Sequence, residues 1–163
     1  MTNHNDVSDS AITIAVDFLA AQPTSGYLFA KTNSAGTVRY YGLYMSSSKK
    51  ELVFYYRTKA AGGHVGSVQQ SERFGVDLRD GRRYQVVLAI SGGRTAALRV
   101  DNVLIGGERN LGGTVADCGN PADDCQLFLG QRADDFDSHY PFVGIMYDAR
   151  ILDGAASQAY PRV

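Results

Sequence analysis

The sequence predicts an all-β domain, and features of its composition indicate this class. Among 163 residues there are 18 glycines and 10 tyrosines, which favour turns and pleated sheets respectively. Fourteen of the 17 acidic residues are aspartates, and 12 of the 16 basic residues are arginines. Aspartate favours turns, whereas the scarce glutamate and lysine are helix formers. A single β-rich domain of ordinary size is therefore expected.

Composition and charge also exclude several classes of protein. Hydrophobic residues make up 44% of the chain, which is too many for a disordered protein. Charged residues make up only 20%, which is too few for a coiled coil. The net charge of −1 gives no bulk attraction to nucleic acid or to an anionic membrane. The apolar runs are far shorter than the ~20 residues that a membrane-spanning helix needs.

Short apolar or alternating segments, separated by turn residues, predict the strands. In the first segment Ile12, Ile14 and Val16 recur at period two on one face. The adjacent tyrosines Tyr40–Tyr41 and Tyr55–Tyr56 would each place one ring outward in a regular strand. The predicted strands cover 11–19, 26–31, 38–45, 51–57, 65–72, 83–91, 95–100, 103–105, 126–130 and 142–151. This spacing of short strands predicts a β-sandwich or barrel.

Turn residues stand between the predicted strands. A Ser-Ser-Ser-Lys-Lys segment after residue 45 predicts a hairpin between the third and fourth strands. Gly92-Gly93 predicts a two-residue hairpin turn, and Asp101-Asn102 predicts the next turn. A helix-like run over 154–159 is too short to matter. Residues 1–10 are predicted to be a flexible tail before a single domain of 11–163.

The first residues and the two cysteines bear on localisation. Residues 2–10 are polar and contain no apolar signal region, which fits a cytosolic protein or a domain cut from a longer secreted chain. Cys118 and Cys125 enclose a six-residue, turn-rich loop, so we expect a disulfide and an extracellular setting. Two free thiols are the alternative. A zinc site is disfavoured because no histidine has ligand spacing to the pair.

Four consecutive segments resemble the laminin G-like family, in the broad sense that includes thrombospondin N-terminal-like domains and the concanavalin A-like superfamily. Residues 12–29 (ITIAVDFLAAQPTSGYLF) are similar to its opening strand, turn and G-x-L-F strand. Residues 80–102 are similar to its D-G-x-W-H-x-V … L-x-V-D-G hairpin. Residues 127–130 (LFLG) resemble its L-Y-I-G-G strand, and 142–151 resemble its closing F-x-G-x-I-x-D-x-x-I strand. The resemblance implies an antiparallel jelly-roll β-sandwich.

The chain also departs from the family pattern. Arg83-Tyr84 stands where the family has Trp-His, and we expect Tyr84 to fill the core position with its hydroxyl at the edge. Gln131 replaces the second glycine of the G-G pair. The last strand has no cysteine, so the family disulfide that reaches this strand cannot form.

The resemblance further implies a Ca²⁺ site at the sandwich rim. One of the family's aspartate positions holds Arg39 or Tyr40, which cannot supply a carboxylate. Asp123 and Asp124 fit the second position, where oxygen ligands would suit Ca²⁺. These two aspartates could equally stabilise a tight loop without a metal.

A second acidic cluster contains Asp134, Asp135 and Asp137. Carboxylates this close repel one another unless a cation lies nearby. Asp135 and Asp137 are therefore further calcium candidates, and a solvated loop is the alternative.

Clustered basic residues suggest a ligand-binding surface. Arg73 falls in one eleven-residue stretch with the arginines at 79, 82 and 83, and Lys49 lies in the turn after the third predicted strand. Guanidinium groups bind sulfate and carboxylate groups with two hydrogen bonds, which suits glycosaminoglycan chains. The resemblance implies the same use, because heparin binding is known in the thrombospondin-like branch. A mixed-charge solvated face is the alternative, because 17 acids could interleave with 16 bases. The candidates are Arg57, Arg79, Arg82, Arg83, Arg94 and Arg99.

The sequence favours a non-catalytic function. Glycosidases use a pair of carboxylates, yet none of Glu51, Glu72 and Glu108 has a second carboxylate two or four residues away. We expect an extracellular recognition or adhesion module that binds glycans, or cell-surface or matrix proteins, as part of a larger multidomain chain. The alternatives are a structural or assembly domain and a carbohydrate-active enzyme.

Overall fold

Eleven antiparallel strands make up most of the residues that the computed structural model describes, namely 11–21, 25–33, 36–61, 65–116, 125–131 and 141–154. No α-helix occurs within these ranges. The strands are β1 Ile12–Ala20, β2 Gly26–Asn33, β3 Arg39–Ser46, β4 Glu51–Lys59, β5 Val65–Phe74, β6 Arg83–Ser91, β7 Thr95–Val100, β8 Val103–Leu104, β9 Arg109–Asn110, β10 Cys125–Leu129 and β11 Gly144–Asp153.

The strands form two sheets. The first sheet has the order β11-β1-β6-β7-β8, with β9 also paired to β7. The second sheet has the order β10-β2-β3-β4-β5. Strands that are distant in sequence, such as β1 and β11, are therefore neighbours, as in a jelly roll rather than a simple meander.

The core lies between the two sheets and follows the period-two pattern of the sequence. Ile12, Ile14, Val16 and Phe18 of β1 are each at most 2% exposed. They belong to one buried cluster with inward residues of the second sheet, including Phe54 of β4. Alternation along β1 thus directs its larger apolar side chains toward the facing sheet, as in a β-sandwich.

The predicted strands are confirmed, with bounds that differ by at most two residues. The short strand β9 was not predicted, because a two-residue strand leaves no periodicity in the sequence. The helix-like run 154–159 and the tail 1–10 lie outside the described residues, apart from Gly154.

The hairpin turns differ from the prediction in one place. Ser91 pairs with Thr95, so three residues connect β6 to β7 rather than the glycine pair alone. Gly92 and Gly93 both have positive φ, as a type I′ turn requires, and the following residue continues the connection. The two-residue hairpin lies instead between β7 and β8, at Asp101-Asn102.

The expectation that each tyrosine pair exposes one ring is wrong. Tyr40, Tyr41, Tyr55 and Tyr56 are all at most 2% exposed. The pairing of β2 with β3 shifts register near Tyr40, and both Tyr40 and Tyr41 join the main core. Tyr55 faces outward but is covered by neighbouring rings. Burial thus depends on neighbours in three dimensions, which strand alternation does not reveal.

Candidate functional site

The predicted arginine cluster is divided among separate ion pairs. Arg83 of β6 donates two hydrogen bonds to Asp17 of β1, with Nε–Oδ1 and Nη2–Oδ2 distances of 2.8 and 2.7 Å. Its guanidinium also lies 4.2 Å from the ring centre of Tyr147, a favourable cation–π distance. The hydrogen bonds that Arg83 donates to Asp17 raise the pKa of Arg83 above its ordinary value. Arg83 is therefore held by a carboxylate and an aromatic ring of the same sheet.

Arg79 and Arg82 pair with aspartates in the connection between β5 and β6. Arg79 contacts both carboxylate oxygens of Asp77, at 2.7 and 2.9 Å. The hydrogen bond from Arg79 holds the pKa of Asp77 below its usual value. Arg82 lies 3.5 Å from Asp80 and is exposed. Each of these positive charges has a negative neighbour two residues away in sequence.

Arg57, Arg94 and Arg99 lie elsewhere on the two sheets. Arg57 of β4 donates to the main-chain oxygens of Gly66 and Ser67, both at 3.1 Å. Arg94, in the β6–β7 turn, donates to the Thr114 hydroxyl at 3.2 Å. Arg99 is half-buried on β7. The six arginines do not form one uncompensated patch, and ligand binding by them stays a prediction.

Tyr84 takes the position that the sequence indicates. It packs against the core, and its hydroxyl donates to Asp80 at 2.8 Å. Burial, followed by this hydrogen bond, raises the pKa of Tyr84, while the same bond lowers the pKa of Asp80. The Tyr84 ring thus lies against the core with its polar end at the edge of the sandwich.

The calcium candidates Asp123, Asp124, Asp135 and Asp137 lie outside the described residues, so the calcium site stays a prediction. Within the described ranges no group of three or more potential metal ligands is present. The predicted disulfide also stays a prediction, because Cys118 lies outside the described residues while Cys125 begins β10.

A cluster of tyrosines covers part of the outer face of the second sheet. The ring centres of Tyr27 and Tyr44 are 5.4 Å apart, and that of Tyr55 lies 6.1 and 6.5 Å from them. Gly42 makes room for Tyr55, because a Cβ at this glycine would lie 2.5–2.7 Å from atoms of the tyrosine side chain. Tyr27 and Tyr55 are buried, whereas Tyr44 remains partly exposed at the side of the cluster.

Beside Tyr44 lies an open pocket of about 240 Å³, which we call the serine pocket. Its walls combine one aromatic ring, four hydroxyl groups and two cationic side chains. The lining residues are Ser25, Tyr44, Ser46, Ser47, Ser48, Lys49 and Arg73. The serine pocket therefore offers an apolar ring face, hydrogen-bonding groups and positive charge within one small volume.

Hydrogen bonds fix the serine side of the pocket. Ser25 precedes β2, and its hydroxyl donates to the Ser47 hydroxyl at 2.9 Å. The Ser47 main-chain N–H donates to the Ser25 oxygen at 2.8 Å. The hydroxyls of Ser46 and Ser48 are 3.4 Å apart. The turn between β3 and β4 is thereby tied to the start of β2.

The cationic side of the pocket comes from β5 and from the turn. Val53 of β4 pairs with Tyr44 on one side and with Arg73 of β5 on the other. These three residues therefore form a row across the outer face. Arg73 forms an ion pair with Glu51, and the Arg73 side chain is 54% exposed. Unlike the Arg83 pair, this pair is open to water.

Sequence reasoning counted Arg73 and Lys49 among the clustered basic residues but did not keep them in the final set of candidates. It identified Ser46–Ser48 only as a turn, and it did not select Tyr44. The available signal was a polar, lysine-bearing turn directly after a tyrosine-rich strand. The contribution of Arg73 could not be found this way, because it depends on the pairing of β4 with β5.

The glutamates do not form a catalytic pair. Glu51 points to the outer face, where it contacts Arg73. Glu72 lies next to Arg73 in sequence but accepts from the Tyr56 hydroxyl on the inner side, at 3.5 Å. Glu108 is exposed between β8 and β9. The three side chains therefore lie in separate places.

Comparisons with known proteins establish the fold. The CBM40 domain of the Ruminococcus gnavus IT-sialidase, in a structure bound to α2,3-sialyllactose, matches with a TM-score of 0.71 and 14% identity, over 92% of this chain and 79% of that one. The SAP-like pentraxin of Limulus polyphemus matches with a TM-score of 0.61 and 16% identity, over 91% and 67%. Domains LG4-5 of the mouse laminin α1 chain match with a TM-score of 0.59 and 14% identity, over 90% and 36%.

The chain therefore has the laminin G-like, concanavalin A-like jelly-roll β-sandwich fold that the sequence predicts. No family model matches the sequence, and no curated protein matches it. In the part of the chain that the structure describes, no helix is long and apolar enough to cross a membrane.

Proposed function

We propose that this protein is a non-catalytic, extracellular recognition module that binds a glycan, and that the serine pocket holds one sugar ring of that glycan. The observation that carries the proposal is the composition of the pocket. It places the partly exposed ring of Tyr44 beside four serine hydroxyls and two cations.

This combination suits the chemistry of a sugar. A sugar ring has an apolar face of C–H groups, which packs against an aromatic ring, and a rim of hydroxyls that need hydrogen-bonding partners. The pocket volume of about 240 Å³ is below the ~300–1,000 Å³ that is typical for drug-sized ligands. The size therefore favours one ring, with the rest of the chain extending into solvent.

The similar structures support a binding role. The CBM40 domain is described in complex with sialyllactose, and the sandwich architecture is shared over 92% of this chain. The placement of the three described glutamates in separate surroundings supports a function without hydrolysis.

The proposal is tested by glycan-array binding with two matched tyrosine variants. Tyr44→Ala removes the ring in the serine pocket, whereas Tyr147→Ala removes a 46% exposed ring on the other sheet. We expect Tyr44→Ala to abolish glycan binding and Tyr147→Ala to preserve it, with both variants folded by circular dichroism. Absence of glycan binding by the unaltered protein, or full binding by folded Tyr44→Ala, would overturn the proposal.

Assembly with a neighbouring domain or protein is a second candidate function. The alternate residues Val143, Ile145 and Tyr147 expose 38%, 53% and 46% of their surface along β11 and the residue before it. Exposed apolar strips of this kind often mark protein contacts. Concentration-dependent association in sedimentation experiments, abolished by Ile145→Ser, would favour this function. A monomer at all concentrations would count against self-association.

A further inference from the structure

We infer that the sugar recognised by the serine pocket carries a carboxylate, which is bound by Arg73 in exchange for Glu51. This inference rests on the proposed function and specifies its ligand class. The support for this inference comes from the charges around the pocket and from the arrangement of its residues across the strands. It does not depend on the six arginines that the sequence singled out.

The charges of the pocket favour an anion. Lys49 and Arg73 both line the cavity, and Lys49 is exposed in the turn between β3 and β4. Among the lining residues there is no carboxylate, and Glu51 reaches the site through its contact with Arg73. A planar guanidinium binds a carboxylate with two parallel hydrogen bonds, which a neutral hydroxyl cannot reproduce.

The spacing across the sheet suits a ring with an attached carboxylate. Tyr44, Val53 and Arg73 are cross-strand neighbours on β3, β4 and β5. Since adjacent strands lie ~4.8 Å apart, the main chains of Tyr44 and Arg73 are separated by roughly 10 Å. A sugar packed against Tyr44 can therefore direct a substituent toward the Arg73 guanidinium.

Glu51 makes the exchange possible. Its pair with Arg73 holds the guanidinium at the pocket wall, but the arginine side chain is 54% exposed. Because water reaches the Arg73 guanidinium, its pair with Glu51 contributes little net stability, and a ligand carboxylate can take the place of Glu51 at small cost. The residual negative charge of Glu51 then weakens binding of an acidic sugar. Removing that charge should strengthen binding, which is the opposite of what a damaged fold would do.

The experiment measures sugar binding by NMR chemical-shift titration, which detects millimolar affinities. The probes are the methyl glycosides of glucuronic acid, galacturonic acid and N-acetylneuraminic acid, with methyl glucoside and methyl galactoside as neutral controls. Glucose 6-sulfate distinguishes a carboxylate site from a general anion site. We expect at least one carboxylate sugar to bind ~10-fold more tightly than the neutral sugars, since a charge-assisted contact is lost in the latter.

Two variants with opposite expected effects test the exchange. Arg73→Met should lower the affinity for the acidic sugar to the neutral level, and Glu51→Gln should raise it by ~3-fold, with neutral sugars unaffected. The matched control is Arg94→Met, which removes an exposed arginine from the β6–β7 turn of the first sheet.

Each outcome has a separate meaning. Tyr44-dependent binding of neutral sugars, with no preference for acids, would overturn this inference and leave the proposed function standing. Equal binding of the sulfated sugar would overturn the carboxylate specificity. If neither acidic nor neutral sugars bind, both the inference and the proposed function fail.

Discussion

Arg83 and Arg73 both lie at the outer face of a sheet and both pair with a carboxylate, yet their surroundings differ. The Asp17 side chain that accepts from Arg83 is only 4% exposed, and Tyr147 covers the guanidinium. The Glu51 side chain that contacts Arg73 is 15% exposed, and Arg73 itself is 54% exposed. The buried carboxylate of Asp17 must keep its counter-charge, whereas the exposed guanidinium of Arg73 can accept another carboxylate.

This comparison shows that a count of arginines does not report which guanidinium groups are already paired with carboxylates. The sequence draws attention to the run Arg79, Arg82 and Arg83, where positive charge is most concentrated. In the structure each of them has an aspartate within 3.5 Å. The serine pocket has fewer cations, but its cations line a cavity beside an aromatic ring. Availability of the charge matters more than its density.

The largest expected effect is a difference between the two ion pairs in how much each contributes to the free energy of unfolding. Asp17→Ala should lower the free energy of unfolding by about 1.5–3 kcal/mol, because the buried carboxylate accepts two charge-assisted hydrogen bonds. Glu51→Ala should lower it by less than about 1 kcal/mol, because its pair is open to water. Urea unfolding curves with unchanged slopes would provide both values. Equal losses in the two variants would contradict the distinction.

A smaller effect is expected in the pH dependence of stability. It arises on the inner side of β5, where Glu72 contacts Tyr56, whereas Arg73 of the same strand points outward. Burial, followed by the charge of Glu72, raises the pKa of Tyr56 to about 12 from 10.0. Between pH 10 and about pH 12 the folded protein therefore keeps the hydroxyl proton of Tyr56, while the unfolded chain releases it. The stabilisation from Tyr56 is complete below pH 10 and is lost as the pH rises toward about 12.

Urea midpoints of the unaltered protein and of Tyr56→Phe, measured below pH 10 and again near pH 12, check this expectation. The phenylalanine variant does not titrate at this position, so the stability advantage of the unaltered protein should shrink as the pH rises. The remaining tyrosines titrate in both proteins and cancel in the difference. An advantage that stays constant over this range would show that the pKa of Tyr56 is not raised in the folded protein.

The smallest expected effect concerns Asp80 in the arginine-rich connection. Tyr84→Phe removes the hydroxyl that donates to Asp80, so the pKa of this carboxyl should rise toward its ordinary value. An NMR titration of the side-chain carboxyl resonances measures the shift. Asp77 is the internal control, because its lowered pKa is due first to Arg79. Equal movement of both carboxyls would indicate a general change in the connection rather than loss of one hydrogen bond.

The sequence by itself determined the class of fold and most of its strands. Alternation at Ile12, Ile14 and Val16 reports which side of β1 faces the opposite sheet, because a strand presents successive side chains to opposite faces. Asp101-Asn102 marks a tight turn because these residues tolerate positive φ. The core position of Tyr84 also followed from its place in a recognisable hairpin. These are local properties, which short stretches of consecutive residues determine.

Only the tertiary structure decided where charge and aromatic surface become available. The Arg83–Asp17 pair joins residues 66 positions apart, and it gives one of the predicted ligand-binding arginines a carboxylate partner. The serine pocket joins Ser25, the β3–β4 turn and Arg73, which become neighbours because β2, β3, β4 and β5 lie side by side in one sheet. Strand order and register depend on the mutual burial of distant segments, and no periodicity within a single segment encodes them.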